Sequence, residues 1–248
     1  MAIPKSRTPR LIIVRHGQTE WSKTGQYTSR TDIPLTDYGV KQMRSTGRVL
    51  IGYGSTNLIK PAELKLIICS PRKRALQTKD LLLESLPESQ KLSIKTEIDE
   101  DVREWEYGDY EGLLTEEIKE RRTKNNLPGG ENWTIWPYGC ENGENAEDVT
   151  KRVDRLIEKI RKIHKRAMDN NEFCDIMVVA HGHILRCLAA RWVGRPINKN
   201  PQFMLDAGGV GVLSYQHHNI NEPAIYLPEH SLFQLTRKVK ACKCCLFP

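Results

Sequence analysis

Four short apolar runs interrupt an otherwise mixed chain: LIIV at 11–14, LIIC at 66–69, IMVVA at 176–180 and VGVLSY at 210–215. Each has strand length and β-branched content, and an unbroken rather than alternating apolar run predicts a strand buried on both faces. Between these runs the period lengthens to that of helices. LTDYGVKQMRSTGRVL carries helical spacing behind Thr36, which is placed to cap it. SPRKRALQTKDLLLESL has Ser70 at the cap position and Pro71 in the first turn, where proline is tolerated. A long amphipathic helix is expected over about 145–169, and HILRCLAARWVG follows IMVVA directly. Strands alternating with helices predict an α/β fold: a mostly parallel central sheet with helices on both faces.

One region breaks the rhythm. Residues 100–145 hold three of the five tryptophans together with many glycines and acidic residues, the composition of a lid-like insertion or pocket wall rather than a linker. A single domain over 1–248 is expected from the length. The end of the chain, about 229–248, reads as an unstructured tail: Cys242, Cys244 and Cys245 cluster there, and CLFP outlines a prenylation box but ends on an unsuitable proline.

Composition narrows the class. With 39% hydrophobic and 28% charged residues the chain is an ordinary globular protein. No apolar stretch approaches the roughly 18 residues of a membrane span, and the N-terminus lacks the apolar core of a secretory signal, so no membrane partner is expected. Seven cysteines, an odd number without paired spacing, fit a reducing compartment: the cytoplasm, with the nucleus left open. The net charge of +7 invites a nucleic-acid reading. However, the densest basic run, KIRKIHKR at 159–166, alternates with apolar residues as a solvated helix face does, so no nucleic-acid partner is expected. A positive balance equally suits an enzyme acting on a small phosphorylated substrate. Self-association as a homo-oligomer stays open.

In open α/β sheets ligands bind beyond the carboxyl ends of the strands. After LIIV come Arg15, His16 and Gly17; after LIIC come Ser70, Pro71, Arg72, Lys73 and Arg74; after IMVVA come His181, Gly182 and His183. In VRHG and VAHG alike, a histidine at a strand terminus precedes a glycine that lets backbone and ligand approach closely. Facing imidazoles among arginines make poor structural partners and a good cradle for an anion, toward which a helix starting near Ser70 would point its amides. A metal held by HGH and His16 is the rival, but an i, i+2 pair diverges and the arginines repel a divalent ion, so no metal and no cofactor are expected. What remains is phosphoryl transfer through a histidine nucleophile, with Arg15, an arginine of SPRKR and His181 stabilising charge on the phosphoryl oxygens. The leaving alkoxide needs a proton donor, for which VREWEYGDYEG offers Glu104 and Glu106; spacing alone does not decide between them.

RHGQTEW, SPRKRALQT, REWEYGDYEG and AHGH, in this order, resemble the histidine phosphatase superfamily, also called phosphoglycerate mutase-like. The resemblance covers about residues 10–220. It implies His16 as the phosphohistidine nucleophile, Glu104 as acid/base, and Arg15, Arg74 and His181 as the phosphate pocket, Arg74 being favoured over Arg72 because the family arginine precedes the alanine of R-A-x-Q-T. WSKTGQYTSRTDIPLT, CENGE and DIMVVAHGHILR look closest to the fungal sedoheptulose-1,7-bisphosphatase group. That likeness implies a metal-independent sugar-bisphosphate phosphatase releasing the 1-phosphate, with Thr28, Ser29, Glu106, Tyr107, Arg186 and His217 lining the substrate pocket. His217 would join Arg186 on the distal phosphate; the alternative for HHN at 217–219 is a solvated strand-end turn. A phosphoglycerate mutase of this family would carry asparagine at Ser22 and glycine at Ser29, which leans away from mutase activity. A broader phosphomonoesterase and a non-enzymatic binding module are the remaining alternatives.

Overall fold

The computed structural model describes residues 8–227, so the cysteine tail lies outside the described residues. In chain order the elements are strand β1 (Arg10–Arg15), helices α1 (Glu20–Thr24) and α2 (Asp37–Leu50), β2 (Leu64–Cys69), α3 (Lys73–Leu83), α4 (Glu88–Ser93) and β3 (Lys95–Ile98). There follow α5 (Thr115–Lys124), α6 (Ile135–Tyr138), α7 (Ala146–Asp169), β4 (Asp175–Ala180), α8 (Gly182–Trp192), β5 (Val210–Tyr215) and β6 (Pro223–Tyr226). The sheet order is β3-β2-β4-β1-β5-β6. The first four strands in that order are parallel, whereas β5 runs antiparallel to β1 and β6 antiparallel to β5.

The unbroken apolar runs are explained by burial on both faces. Leu11, Ile13, Leu66, Ile68, Ile176 and Val178 enter one core layer; Ile12, Val14, Ile67, Cys69, Met177 and Val179 enter the other. The first layer is covered by α7 and α8 through Val149, Val153, Leu156, Ile184 and Leu188, and the second by α2 and α3 through Met43, Leu50 and Leu82. Helices α2 and α3 touch at Gly47, where a Cβ would lie 2.6 Å from the Leu82 carbonyl oxygen, a distance only glycine tolerates.

Thr36 caps α2 by accepting from the Gly39 amide, and Asn145 and Asp148 form a capping box at the start of α7. The start of α3 differs from expectation. The cap is Arg72, Ser70 and Pro71 remain outside the helix, and the Ser70 hydroxyl is engaged instead by His181. The basic face of α7 is also not solvated throughout: His164 is fully buried against Tyr215 and Trp192, its Nδ1 2.9 Å from the Tyr215 hydroxyl.

The 100–145 segment packs as a wall. Trp105, Trp133 and Trp136 are buried in the same core layer as α7 and α8. Indole Nε1 of Trp105 donates to the Glu144 carbonyl and that of Trp133 to the Gly139 carbonyl, which closes the segment on itself. Among the described residues no helix is long and apolar enough to cross a membrane.

Candidate active site

The carboxyl ends of β1, β2 and β4 deliver the chemistry. Backbone pairing continues past the strands, His16 N–H donating to the Ala180 carbonyl and Ser70 N–H to the Val179 carbonyl, both over 3.0 Å, so His16, Ser70 and His181 emerge together. The His16 and His181 ring centroids are 5.1 Å apart at 63°.

His16 Nδ1 is 2.8 Å from the Gly17 carbonyl oxygen, which can only accept, so Nδ1 carries the proton and Nε2 keeps its lone pair. Burial, then the nearby Arg74 and Arg15, hold the imidazole down to about 3, so it is neutral at physiological pH. His181 is fixed in the opposite tautomer. Its Nδ1 accepts from Arg74 Nε over 3.2 Å, which leaves Nε2–H to donate to Ser70 Oγ over 2.7 Å. Burial, Arg74 and His16 keep His181 well below the ordinary histidine value.

Arg74 is fully buried near His16, outside the cleft lining. Its Nε–H goes to His181, one Nη1–H to the Thr31 carbonyl and the two Nη2–H to the Thr28 and Ser29 carbonyls. One Nη1–H is left over from the five that a guanidinium carries. Arg15 is less confined. It donates to the Leu205 carbonyl over 2.8 Å, and its buried Nε has no hydrogen-bond partner.

Across the cleft, Glu104 is held by backbone amides. Oε1 accepts from Trp105 and Ile184, each over 2.9 Å, and Oε2 from His183 over 3.1 Å. Two of these amides belong to the first turn of α8. Arg152, from α7, binds the Glu144 carboxylate through Nε and Nη2 and also grips the Asp101, Arg103 and Glu104 carbonyls, which fixes the main chain carrying Glu104.

Arg15, His16, Thr28, Glu104, Tyr107 and Arg186 line one cleft of about 370 Å³. Arg186 lies 4.6 Å above the Trp136 ring, and its Nε is buried without a hydrogen-bond partner. A buried N–H without an acceptor is costly, and the two residues that carry one here, Arg15 and Arg186, both line this cleft. Ser22, whose hydroxyl is bonded to the Thr19 backbone, stands at the same cleft.

Other expected contacts lie elsewhere. Ser29 is buried, and its hydroxyl is bound by Glu111 and Glu106 behind the cleft wall. Glu106 pairs with Arg30 outside the cleft lining. His217 is the clearest correction: β5 is antiparallel to β1, so its carboxyl end lies at the sheet edge opposite His16. There Ser214 Oγ donates to the Pro9 carbonyl, and the exposed His217 pairs with Glu222 over 2.6 Å. His217 and its neighbours form the solvated strand-end turn, so His217 does not reach Arg186.

The two glycines after the strand-end histidines also divide. A Cβ on Gly182 would sit 3.2 Å from Arg15 Cζ, so this glycine does admit a cation; one on Gly17 would meet Met43 Cγ at 2.7 Å, so that glycine serves α2 packing. Of the first amides of α3, that of Lys73 donates to Asp32 and those of Ala75 and Leu76 to the Arg72 carbonyl.

Sequence reasoning missed His183 as a pocket residue. Its Nδ1 is 2.7 Å from the Tyr107 hydroxyl and its ring stacks on Tyr27, while burial draws it down to about 4. The i, i+2 spacing of HGH was the available signal, since it turns His183 away from His181. The 203–206 loop was missed as well. Phe203, Met204, Leu205 and Asp206 close one side of the cleft.

A family model for the histidine phosphatase superfamily (branch 1) matches residues 11–224. Sedoheptulose 1,7-bisphosphatase of Saccharomyces cerevisiae is 45% identical, with 90% of this chain and 93% of that protein covered. An acid phosphatase of Mycobacterium tuberculosis is 32% identical over 85% of this chain and 89% of its own length. Among solved structures, that of a Mycobacterium tuberculosis open reading frame matches with a TM-score of 0.67 at 29% identity, covering 89% of this chain and 97% of that one.

Proposed function

The chain belongs to the histidine phosphatase superfamily (branch 1) and is a phosphatase, and on that premise we propose that it removes one phosphate from a sugar bisphosphate through a phosphohistidine on His16. Sedoheptulose 1,7-bisphosphate is the first candidate, because the yeast relative is named for it. The carrying observation is a neutral His16, its Nε2 lone pair free, that shares one cleft with Arg15 and Arg186 while the buried Arg74 lies close to it outside the cleft lining.

Nε2 attacks phosphorus in line as the bond from phosphorus to the sugar oxygen breaks, and the acid form of Glu104 protonates that oxygen. The carboxylate so formed then takes a proton from water. The resulting hydroxide attacks the phosphohistidine, the P–N bond breaks, and inorganic phosphate leaves with Glu104 restored to its acid form. Arg15 and the remaining Nη1–H of Arg74 meet the charge on the phosphoryl oxygens. His181, expected to meet those oxygens itself, has both ring nitrogens bonded, to Arg74 and to Ser70, and instead holds Arg74 in place. Arg186 takes the distal phosphate, and Thr28 and Tyr107 meet sugar hydroxyls. None of these steps requires a metal.

We place the enzyme in the cytoplasm, where the free thiols of Cys69, Cys140, Cys174 and Cys187 persist. The test is phosphate release from a panel of sugar mono- and bisphosphates with EDTA present, with His16→Ala as control. Activity of wild type on sedoheptulose 1,7-bisphosphate and none in His16→Ala is expected. Full activity in His16→Ala, or loss with EDTA, would overturn the reading.

A further inference from the structure

Outside the cleft lining, the carboxylate of Glu111 binds the loop whose carbonyls hold Arg74. Glu111 follows the turn Gly108–Tyr110 of the 100–145 segment. Its Oε1 accepts from the amides of Ser29 and Thr31, each over 2.9 Å, and its Oε2 accepts from the Ser29 amide over 3.0 Å and the Ser29 hydroxyl over 2.8 Å. The amides of this loop thus face Glu111. Its carbonyls face the other way, Thr28, Ser29 and Thr31 all accepting from Arg74.

The two sides of the loop are coupled by peptide planarity, since the Ser29 amide that binds Glu111 shares its peptide plane with the Thr28 carbonyl that binds Arg74. The strap extends further. Tyr27 N–H donates to the Leu113 carbonyl, Gly112 N–H to the Tyr27 carbonyl and Gln26 Nε2 to the Gly112 carbonyl. Burial alone would raise the Glu111 carboxyl, but the bonds from Thr31 and Ser29 outweigh it and hold the group below its ordinary value.

We propose that Glu111 is a positioning residue for phosphate binding: through the loop 28–31 it sets the orientation of Arg74, and with it the one guanidinium N–H free to meet phosphate. This rests on the reading of Arg74 as a phosphate ligand. It also gives Ser29 a role that its burial explains, as the link between Glu111 and Arg74 rather than a contact of the sugar.

The test is a double-mutant cycle on phosphate affinity, read by calorimetry with inorganic phosphate on the full chain. Glu111→Gln keeps the size but sets an amide N–H against the backbone donors it faced. Glu111→Gln should weaken phosphate binding about tenfold, comparable to losing one oriented charge-assisted contact, and Arg74→Gln should weaken it at least as much. The double variant should then bind no worse than Arg74→Gln alone. Additive losses, or an unchanged affinity in Glu111→Gln, would overturn the proposal while leaving Arg74 as a ligand. An unchanged affinity in Arg74→Gln would instead remove the phosphate-pocket reading and this inference with it. If Glu111→Gln does not fold, Glu111→Asp, which retains the charge but falls short of Thr31, takes its place in the same cycle with the same outcomes.

Discussion

Arg74 Nε donates to His181 Nδ1 over 3.2 Å, and that bond decides which proton His181 carries. A guanidinium cannot accept, so Nδ1 is bare and Nε2–H must find an acceptor, which is Ser70 Oγ at 2.7 Å. The serine therefore acts on the phosphate pocket through two intermediates. Ser70→Ala leaves a buried N–H unpaired, at a cost of about 1–3 kcal/mol. Steady-state kinetics should show kcat/KM falling about tenfold or more in this variant, with Ser70→Thr retaining most of the activity.

Arg186 and His217 separate cleanly. Arg186→Ala removes the cation over Trp136 and should raise KM for a bisphosphate about tenfold or more, as loss of a charged hydrogen bond does, while affecting a monophosphate much less. His217→Ala should leave both KM values unchanged, because the residue sits at the other end of the sheet, bound to Glu222. A shared effect of the two variants on KM would contradict the strand orientation described above.

That contrast shows where the sequence was legible. LIIV, LIIC and IMVVA each end in polar residues at the carboxyl edge, and local pattern alone places Arg15, His16, an arginine of SPRKR and His181 near one another; the family resemblance picked Arg74. The direction of β5 is different. VGVLSY reads the same whether it pairs parallel or antiparallel to β1, and only the long-range register of Val14 with Val210 decides it. His217 was assigned to the pocket by the family likeness, and nothing in VGVLSY itself could contradict it. Strand β3, KTEI, is an edge strand with exposed side chains and no apolar run to announce it. Ser29 and Glu111 are 82 positions apart, and their pairing depends on how the 100–145 wall folds back, which no periodicity reports.

Gly182 is a site for a steric test. A Cβ there would stand 3.2 Å from Arg15 Cζ and 3.3 Å from its Nε. Gly182→Ala should displace the guanidinium at a cost of about 1 kcal/mol, the low end for overpacking. Phosphate and substrate affinities should each fall about fivefold, seen in KM and in product inhibition, with little change in melting temperature.

Acid should destabilise the fold through its buried histidines. His16 and His164 are held down to about 3, His183 to about 4 and His181 well below its ordinary value, burial being the first cause in each. Between about pH 4 and the unfolded value near 6.5, the unfolded chain binds protons that the folded chain refuses, so stability is lost as pH falls through 6.5. Each such histidine contributes up to about 1.4 kcal/mol per pH unit in that window. Melting temperatures from pH 7 to pH 5 should fall steeply, and His164→Phe, remote from the cleft, should flatten the slope by about one proton while sparing activity.

Glu104 serves both halves of the proposed cycle, and the two can be separated. Three backbone amides hold its carboxyl group, two of them at the start of α8, so Glu104→Gln keeps an oxygen for Trp105 and Ile184, turns its amide toward the His183 N–H and loses the transferable proton. With a sugar ester the first step needs that proton, and the rate should drop by about 10²–10⁴, the usual worth of a general acid. With p-nitrophenyl phosphate the leaving group needs no proton, so His16 should still be phosphorylated and a burst of nitrophenol should appear. Hydrolysis of the phosphohistidine still requires a base for water, so the burst should be followed by a slow steady state and an acid-labile phosphoenzyme should accumulate. Equal losses with both substrates and no burst would show that Glu104 acts on geometry alone, and the proton would then have to come from another group in the cleft.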